Sequence, residues 1–266
     1  MKAVLIVAAS LYSVAAFGQT LHVLAVSDNT KGNNIRVGVN NNLRNLHETA
    51  EKIASITDMK MNFVSVEGDL NFKCSSVEEE INKLVIRQDE DVVIFYYSGH
   101  GGHPSATSNK DAPSSPFPWL YCDGQLKPIG PNQEEFTRKI ESKKPRLVIS
   151  VADACNSAVP GQFPKVAKGV PEDLVRDMYL RFKGTILVSS SISDQFSFYY
   201  DSGGMFSARF LPLLTDVPTS EISKSADVWD AVLKEAKKTI KVPENDTGQL
   251  EQQPQAMSDL VFLGTQ

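Results

Sequence analysis

Apolar runs alternate with amphipathic segments along most of this chain. Runs that predict strands lie at residues 21–26, 61–66, 92–97, 147–152, 185–189 and 259–263. Segments with apolar residues at helical spacing predict helices at about 41–56, 76–85, 131–142, 172–182, 205–214 and 226–240. We expect one of Asn40, Asn41 and Asn42 to cap the first helix. Strands and helices that alternate in one chain predict an α/β sandwich with a mostly parallel sheet.

The first residues have the pattern of a secretory signal peptide. Lys2 precedes an apolar stretch at 3–17, and the small residues Ala16 and Gly18 come before the expected cleavage. The stretch is short for a membrane span, which needs about 20 apolar residues. The alternative is a buried N-terminal strand continuous with 21–26. We expect a signal peptide at 1–18, one catalytic domain at 19–266, and a secreted or periplasmic protein.

Composition excludes several classes of protein. The chain has 266 residues, of which 41% are hydrophobic and 22% charged, as in an ordinary soluble domain rather than a disordered chain or a multi-span membrane protein. A net charge of −5 gives no electrostatic reason to bind nucleic acid or anionic lipid. Three cysteines are too few for a disulfide scaffold. Cys74 and Cys122 either pair in an oxidising compartment, leaving Cys155, or stay independent thiols.

Reactive side chains follow two of the apolar runs. His100 comes after the run 92–97 in the segment Ser-Gly-His-Gly-Gly, and Cys155 comes after 147–152 in Asp-Ala-Cys-Asn-Ser. If the two strands are parallel neighbours, both side chains emerge at the same edge of the sheet. A thiol beside an imidazole is a nucleophile with its base. The amides of Gly101 and Cys155 would then face a developing oxyanion.

Each motif alone has an ordinary structural explanation. A single cysteine at a strand end is usually a small buried apolar residue. A histidine in a glycine-rich loop is often only a turn residue. The order His then Cys, both after buried strands and 55 residues apart, is what favours a catalytic pair.

These two motifs resemble the His and Cys boxes of the caspase-like peptidases, most of all the metacaspases and their bacterial relatives. The stretches 188–195, 203–207 and 253–255 are also similar. The resemblance implies the caspase–hemoglobinase fold, an α/β/α sandwich with a mostly parallel six-stranded sheet. It also implies a cysteine endopeptidase that cleaves proteins or peptides through a thioester, with His100 and Cys155 as its dyad. We expect this enzyme to be a monomer.

The resemblance also implies a substrate pocket. Asp153 and Ser98 match positions that line the S1 pocket of metacaspases, and a carboxylate there favours Arg or Lys at P1. A second pocket Asp is expected near the first helix, where this sequence has Asn42. Basic specificity is therefore weakened, and a non-basic P1 preference stays open. The structural alternative is that Asp153 only ends its strand.

Further motifs carry weaker expectations. His100 and His103 form an HxxH pattern with no third ligand, so we expect no metal and no cofactor. Calcium activation occurs among metacaspases, but no acidic cluster here indicates it. The loop 157–171 contains Lys165 and Lys168, and a basic P1 preference predicts self-cleavage after one of them. The alternative is an intact single chain.

Two other functions remain open at this stage. One is a catalytically silent caspase-fold module that binds partners. The other is an unrelated flavodoxin-like binding protein, for which the segment 27–32 is a faint phosphate-loop candidate. Peptide hydrolysis by the wild type and by a Cys155→Ala variant separates an enzyme from either module.

Overall fold

The structure is a computed structural model that describes residues 18–29, 34–68, 73–102, 115–122, 131–154, 156–158, 171–193, 195–217 and 222–264. Residues 1–17 of the expected signal peptide lie outside this set, so the signal peptide and the boundary of the catalytic domain stay predictions. A search of the described ranges for a helix with the length and apolarity of a membrane span finds none.

Most predicted elements are present. The helices are α1 Arg36–Thr57, α2 Cys74–Lys83, α3 Gln133–Glu141, α4 Glu172–Leu180, α5 Met205–Leu213 and α6 Val228–Ala236. The strands are β1 Thr20–Ser27, β2 Lys60–Glu67, β3 Val92–Ser98, β4 Gly101–Gly102, β5 Trp119–Leu120, β6 Leu147–Asp153, β7 Asn156–Ala158, β8 Phe182–Ser189, β9 Ser197–Tyr200, β10 Gly203–Gly204, β11 Ile240–Lys241, β12 Glu251–Gln252, β13 Gln255–Ser258 and β14 Val261–Phe262.

The central sheet has the strand order β13-β8-β6-β3-β1-β2, with β14 also paired to β8. The strands β2, β1, β3, β6 and β8 run parallel, and β13 and β14 are antiparallel at the edge. The mostly parallel sheet is confirmed. The last strand expected at 259–263 is shorter in the structure, β14 at Val261–Phe262, and the sequence analysis missed β13 at Gln255–Ser258, which precedes it. Between β13 and β14, the Asp259 side chain accepts a hydrogen bond from the Thr185 amide of β8 at 2.6 Å.

Helices cover both faces of the sheet because its central strands are apolar on both sides. In β1, Val23 packs into the larger core beneath α1, α4, α5 and α6, while the next residue, Leu24, packs into the second core with α2 and α3. Phe95 of β3 and Phe136 of α3 pack in that second core with their ring centroids 5.6 Å apart. Burial of each such side chain contributes about 1.5–3 kcal/mol to the free energy of folding. This arrangement is the expected α/β/α sandwich.

Helix α1 begins five residues earlier than the sequence predicted. It starts at Arg36, and the Ile35 N-cap makes no side-chain capping hydrogen bond. The expected caps, Asn40 to Asn42, therefore lie within the helix. Asn42 is completely buried there and uses its side chain for contacts with other elements. A tertiary role has replaced the local capping role that the sequence favoured.

Cys74 and Cys122 form a disulfide, with their Cα atoms 4.9 Å apart. Cys74 is the first residue of α2, and Cys122 follows β5 by two residues. Strand β5 pairs with β4, which begins directly after His100. The bond therefore connects the segment that borders His100 to a helix on the face of the sheet. Of the two alternatives from the sequence, the paired one is present.

We expect the disulfide to stabilise the fold measurably. Replacing both cysteines, Cys74→Ala with Cys122→Ala, should lower the free energy of unfolding by about 4 kcal/mol, since the bond closes a loop of 48 residues. Urea unfolding of the oxidised wild type and the double variant measures this change. Thiol titration of the unfolded, unreduced wild type should find one thiol per chain and three after reduction. Three thiols before reduction would contradict the pairing.

Candidate active site

Strands β3 and β6 are parallel neighbours, as the sequence analysis required. Ser98 at the end of β3 lies beside Asp153 at the end of β6. Beyond these ends the two segments remain connected, because the Gly99 amide donates to the Asp153 carbonyl oxygen at 3.1 Å. His100 follows Gly99 directly. Cys155 lies two residues after Asp153 and outside the described residues, so its separation from His100 stays a prediction.

The chain that leads to position 155 is fixed by a buried serine. The Ala154 amide donates to Ser190 Oγ at 3.1 Å, and the same hydroxyl donates to the Ala154 carbonyl oxygen at 3.1 Å. The Ser190 amide donates to the Ala152 carbonyl oxygen at 2.9 Å. With only 1% of Ser190 exposed, these bonds are protected from water. They set the direction in which the backbone leaves β6.

His100 is held through both its ring and its backbone. Its Nδ1 lies 2.6 Å from Oδ2 of Asp28, the residue directly after β1. The His100 carbonyl oxygen accepts from the Tyr121 amide at 3.2 Å and also contacts the Tyr97 hydroxyl. The imidazole is 29% exposed, so solvent or substrate can reach it. The ring is fixed on one side and accessible on another, as a general base requires.

Asp28 is a site residue that the sequence analysis missed. In the sequence analysis, position 28 appears only within the segment 27–32, a faint phosphate-loop candidate. The available signal was topological, since β1 pairs with β3 and places Ser27 beside Ser98. A carboxylate that follows a strand next to the histidine strand therefore emerges beside the histidine. Strand order cannot be read from one sequence with enough certainty to use that signal.

The Asp153 side chain lies completely inside the protein. Its Oδ1 accepts from Ser197 Oγ at 2.9 Å. Its Oδ2 accepts from the Ser207 hydroxyl at 2.6 Å and from the Ser207 amide at 3.2 Å. Both oxygens therefore already have hydrogen-bond donors from β9 and α5.

The N-terminus of α5 points at this carboxylate. Ser207 is in the first turn of the helix, where backbone amides have no partner within the helix. Its amide donates to Asp153, and the helix dipole favours the negative charge. The approach depends on Gly204, because a Cβ atom there would lie 2.1 Å from Asp153 Oδ2. Glycine is required at this position for space.

Ser98 and Asn42 lie in the same buried cluster as Asp153. The Asn42 side-chain amide lies 3.1 Å from Ser98 Oγ, 3.1 Å from the Tyr199 hydroxyl and 3.5 Å from Asp153 Oδ2. The Asn42 carbonyl oxygen accepts from the Gly204 amide at 3.0 Å. The structure therefore brings together all three pocket positions that the sequence singled out. Tyr199 and Ser207, which the sequence analysis did not single out, complete the cluster.

Burial controls the ionisation of this cluster. It raises the pKa of the Asp153 carboxyl above the ordinary value of 3.8, and hydrogen bonds from Ser207 and Ser197 offset part of that shift. It also raises the pKa of Tyr199 and of Tyr96, whose hydroxyl lies 2.5 Å from Ser207 Oγ. Because Ser207 donates its proton to Asp153, Tyr96 donates to Ser207. The tyrosines therefore remain neutral donors at physiological pH.

Other sequence-predicted site residues are placed as follows. Gly101 begins β4 and lies beside Leu120 of β5. His103, Lys165 and Lys168 lie outside the described residues, so self-cleavage after a lysine stays a prediction.

In the described part of the chain, no three His, Cys, Asp or Glu side chains are grouped so that they could hold a metal ion.

Comparison with known proteins identifies the class. The family model for the caspase domain of peptidase family C14 matches residues 22–262. The fold is similar to that of caspase-1 from Spodoptera frugiperda, with a TM-score of 0.51 and 14% identity, covering 90% of this chain and 86% of the other. No match was found among curated proteins. The fold and the family model define a caspase-like cysteine peptidase. The chain belongs to the caspase family, peptidase C14.

The raised pKa of Asp153 predicts a specific dependence of stability on pH. The unfolded chain releases this proton near 3.8 and the folded protein at a higher pH, so folding is opposed increasingly as pH rises between these values. Relative to Asp153→Asn, the wild type should therefore lose free energy of unfolding as pH rises through that window. Above the raised pKa, the difference in free energy of unfolding between the wild type and Asp153→Asn should be constant.

Urea unfolding of both proteins over a pH series measures this difference. Asp89→Asn is the matched control, because Lys183 lowers the pKa of the exposed Asp89. Relative to Asp89→Asn, the wild type should gain free energy of unfolding as pH rises from the lowered pKa towards 3.8. If the wild type and Asp153→Asn keep a constant difference at all pH values, the prediction is wrong.

Proposed function

We propose that this protein is a cysteine endopeptidase in which Cys155 is the nucleophile and His100 the general base. One observation carries the proposal: the Gly99 amide donates to the Asp153 carbonyl oxygen, which joins the segment entering His100 to the segment entering Cys155. With β3 and β6 adjacent and parallel, both residues follow the same edge of the sheet. The caspase-family membership supports the same chemistry.

The proposed reaction proceeds through a thioester. His100 takes the thiol proton, and the sulfur of Cys155 attacks the carbonyl carbon of the scissile peptide bond. The amides of Gly101 and Cys155 donate to the oxyanion that forms. Collapse of this intermediate breaks the C–N bond, and His100 gives its proton to the leaving amine. A water molecule, deprotonated by His100, then hydrolyses the thioester and restores the thiol.

We also propose that the enzyme works outside the cytosol, either secreted or in the periplasm. The Cys74–Cys122 disulfide supports this location, since such bonds persist in oxidising compartments. The signal-peptide pattern at 1–18 supports it as well. Of the three cysteines in the sequence, Cys155 then remains as the proposed nucleophile.

Replacing either dyad residue should abolish peptidase activity while the fold is retained. We expect Cys155→Ala and His100→Ala each to lower kcat/KM by at least about 1000-fold. His47→Ala is the matched control, because His47 is a half-buried residue of α1 that pairs with Glu51 away from the proposed dyad. It should retain wild-type activity. Hydrolysis of a fluorogenic peptide library, with circular dichroism of each variant, makes the test. Full activity of Cys155→Ala would exclude this mechanism, and an inactive wild type would favour the silent binding module.

For specificity, we propose that P1 is Arg or Lys. Asp153 supplies the negative charge, and Ser98 and Asn42 lie beside it. A guanidinium or ammonium group at P1 would add an ion pair to the hydrogen bonds that this carboxylate already accepts, and a guanidinium could bind it through two parallel hydrogen bonds.

A non-basic P1 side chain is the second candidate, and one observation favours it. Both oxygens of Asp153 already accept hydrogen bonds, and the side chain is completely buried. A carboxylate satisfied in this way stabilises the wall of the pocket without contacting the substrate. The pocket would then select P1 by shape and by neutral hydrogen bonds.

A P1-scanned peptide library decides between the two. Basic specificity predicts the highest kcat/KM for Arg and Lys, and Asp153→Asn should raise KM for these peptides more than for a P1 Ala peptide. The P1 Ala peptide is the internal control for damage to the fold. Faster cleavage after Asp or after an uncharged residue by the wild type would contradict basic specificity and favour the second candidate.

A further inference from the structure

The residue that contacts His100 comes from the adjacent strand. Strands β1 and β3 pair in parallel, and Ser27 lies beside Ser98. Beyond this last pair, the Asp28 amide donates to the Ser98 carbonyl oxygen at 2.9 Å. The backbone of Asp28 is thus fixed relative to the segment that enters His100. Its side-chain position follows from the sheet and not from a mobile surface contact.

The contact between Asp28 and His100 is short and partly shielded from water. Oδ2 of Asp28 lies 2.6 Å from Nδ1 of His100, and the Asp28 side chain is only 14% exposed. A hydrogen bond to an ionised carboxylate at this distance belongs to the strong class. With Nδ1 donating to Asp28, Nε2 is the nitrogen that exchanges a proton with the reacting groups. The contact therefore fixes both the orientation of the ring and its tautomer.

Glycine at position 99 makes this approach sterically feasible. A Cβ atom on Gly99 would lie 2.5 Å from the Cβ of Asp28 and 3.0 Å from the Asp28 amide nitrogen. Any side chain here would push Asp28 away from the loop. The glycine that precedes the catalytic histidine thus also keeps space for the carboxylate.

A second histidine–aspartate pair shows what a structural contact of this type looks like here. His22 and Asp91 lie 3.2 Å apart and are almost wholly buried near the amino ends of β1 and β3, at the other end of these strands from His100. Asp91 also accepts from the backbone amides of Thr20 and Arg87, so it organises the chain around it. The Asp28–His100 pair instead lies beyond the carboxyl ends of β1 and β3. Its nitrogen–oxygen distance is shorter, and its imidazole is accessible.

We propose that Asp28 is a positioning residue for His100. Its carboxylate holds the imidazole with Nδ1–H towards Asp28 and stabilises the imidazolium that forms when Nε2 takes the proton of the Cys155 thiol. Asp28 itself neither gains nor loses a proton in the reaction. This inference rests on the proposed peptidase function, which it extends from a dyad to a triad.

The test separates positioning from structure by kinetics. Asp28→Asn keeps the shape of the side chain and removes its charge, so we expect kcat to fall at least about tenfold with KM within about twofold of the wild type. Asp28→Ala should lose as much, and added formate should restore part of its kcat by occupying the vacated space. Formate should not restore His100→Ala. Asp89→Asn, which removes an exposed carboxylate paired with Lys183, is the control.

A spectroscopic measurement gives a second readout. A strongly hydrogen-bonded Nδ1–H of His100 produces a far-downfield proton signal in the NMR spectrum. We expect this signal in the wild type and in Asp89→Asn, and its loss in Asp28→Asn and His100→Ala. Gly99→Ala should weaken the signal, because the added Cβ displaces Asp28.

Each outcome addresses either this inference or the function on which it rests. Wild-type kcat in Asp28→Asn, with His100→Ala inactive, overturns the positioning role and leaves the peptidase function intact. Loss of kcat only in proportion to the loss of folded protein, without rescue by formate, also overturns it in favour of a structural role. An inactive wild type, or an active His100→Ala, overturns the proposed function itself.

Discussion

The Asp153 carboxylate is buried at the end of β6, and the elements around that end have to supply it with hydrogen-bond donors. Removing an ionised carboxylate from water costs several kcal/mol unless donors replace the lost hydration. Here the donors come from Ser197 of β9 and from Ser207 of α5. The positions of β9 and α5 against the central sheet are therefore linked to one charge. The same requirement fixes the end of β6, from which the chain continues to Cys155.

The donors in this cluster also determine which residue can occupy position 42. The Asn42 carbonyl oxygen accepts from the Gly204 amide, and this leaves its NH2 group directed at Ser98, Tyr199 and Asp153. An aspartate at this position would remove that donor and place a second negative charge next to Asp153. Like charges at this distance disfavour the ionised form of both groups. The departure from the metacaspase pattern thus leaves this buried cluster with one carboxylate and a donor beside it.

The sequence predicted the parts of the molecule that depend on apolar patterns. Strands such as β3, with six consecutive apolar residues, are recognisable because both faces of a central parallel strand are covered. Patterns of this kind do not report polar contacts between distant elements. Asn42 looked like a helix cap from its local neighbours, but its partners come from other elements. The short strand β9 and the contact of Asp28 were missed for the same reason, since both depend on which strands are adjacent.

The loop that carries His100 leaves the sheet between two supports of different kinds. On one side, the pairing of β1 with β3 places Asp28 against the imidazole. On the other side, β4 pairs with β5, and the chain after β5 is bound to α2 by the Cys74–Cys122 disulfide. The first support consists of backbone pairing within the sheet and does not depend on the redox state of the surroundings. The disulfide support depends directly on that redox state. Ring orientation is therefore set by the fold itself, whereas the segment that borders the histidine is held in addition by a bond that persists in oxidising compartments.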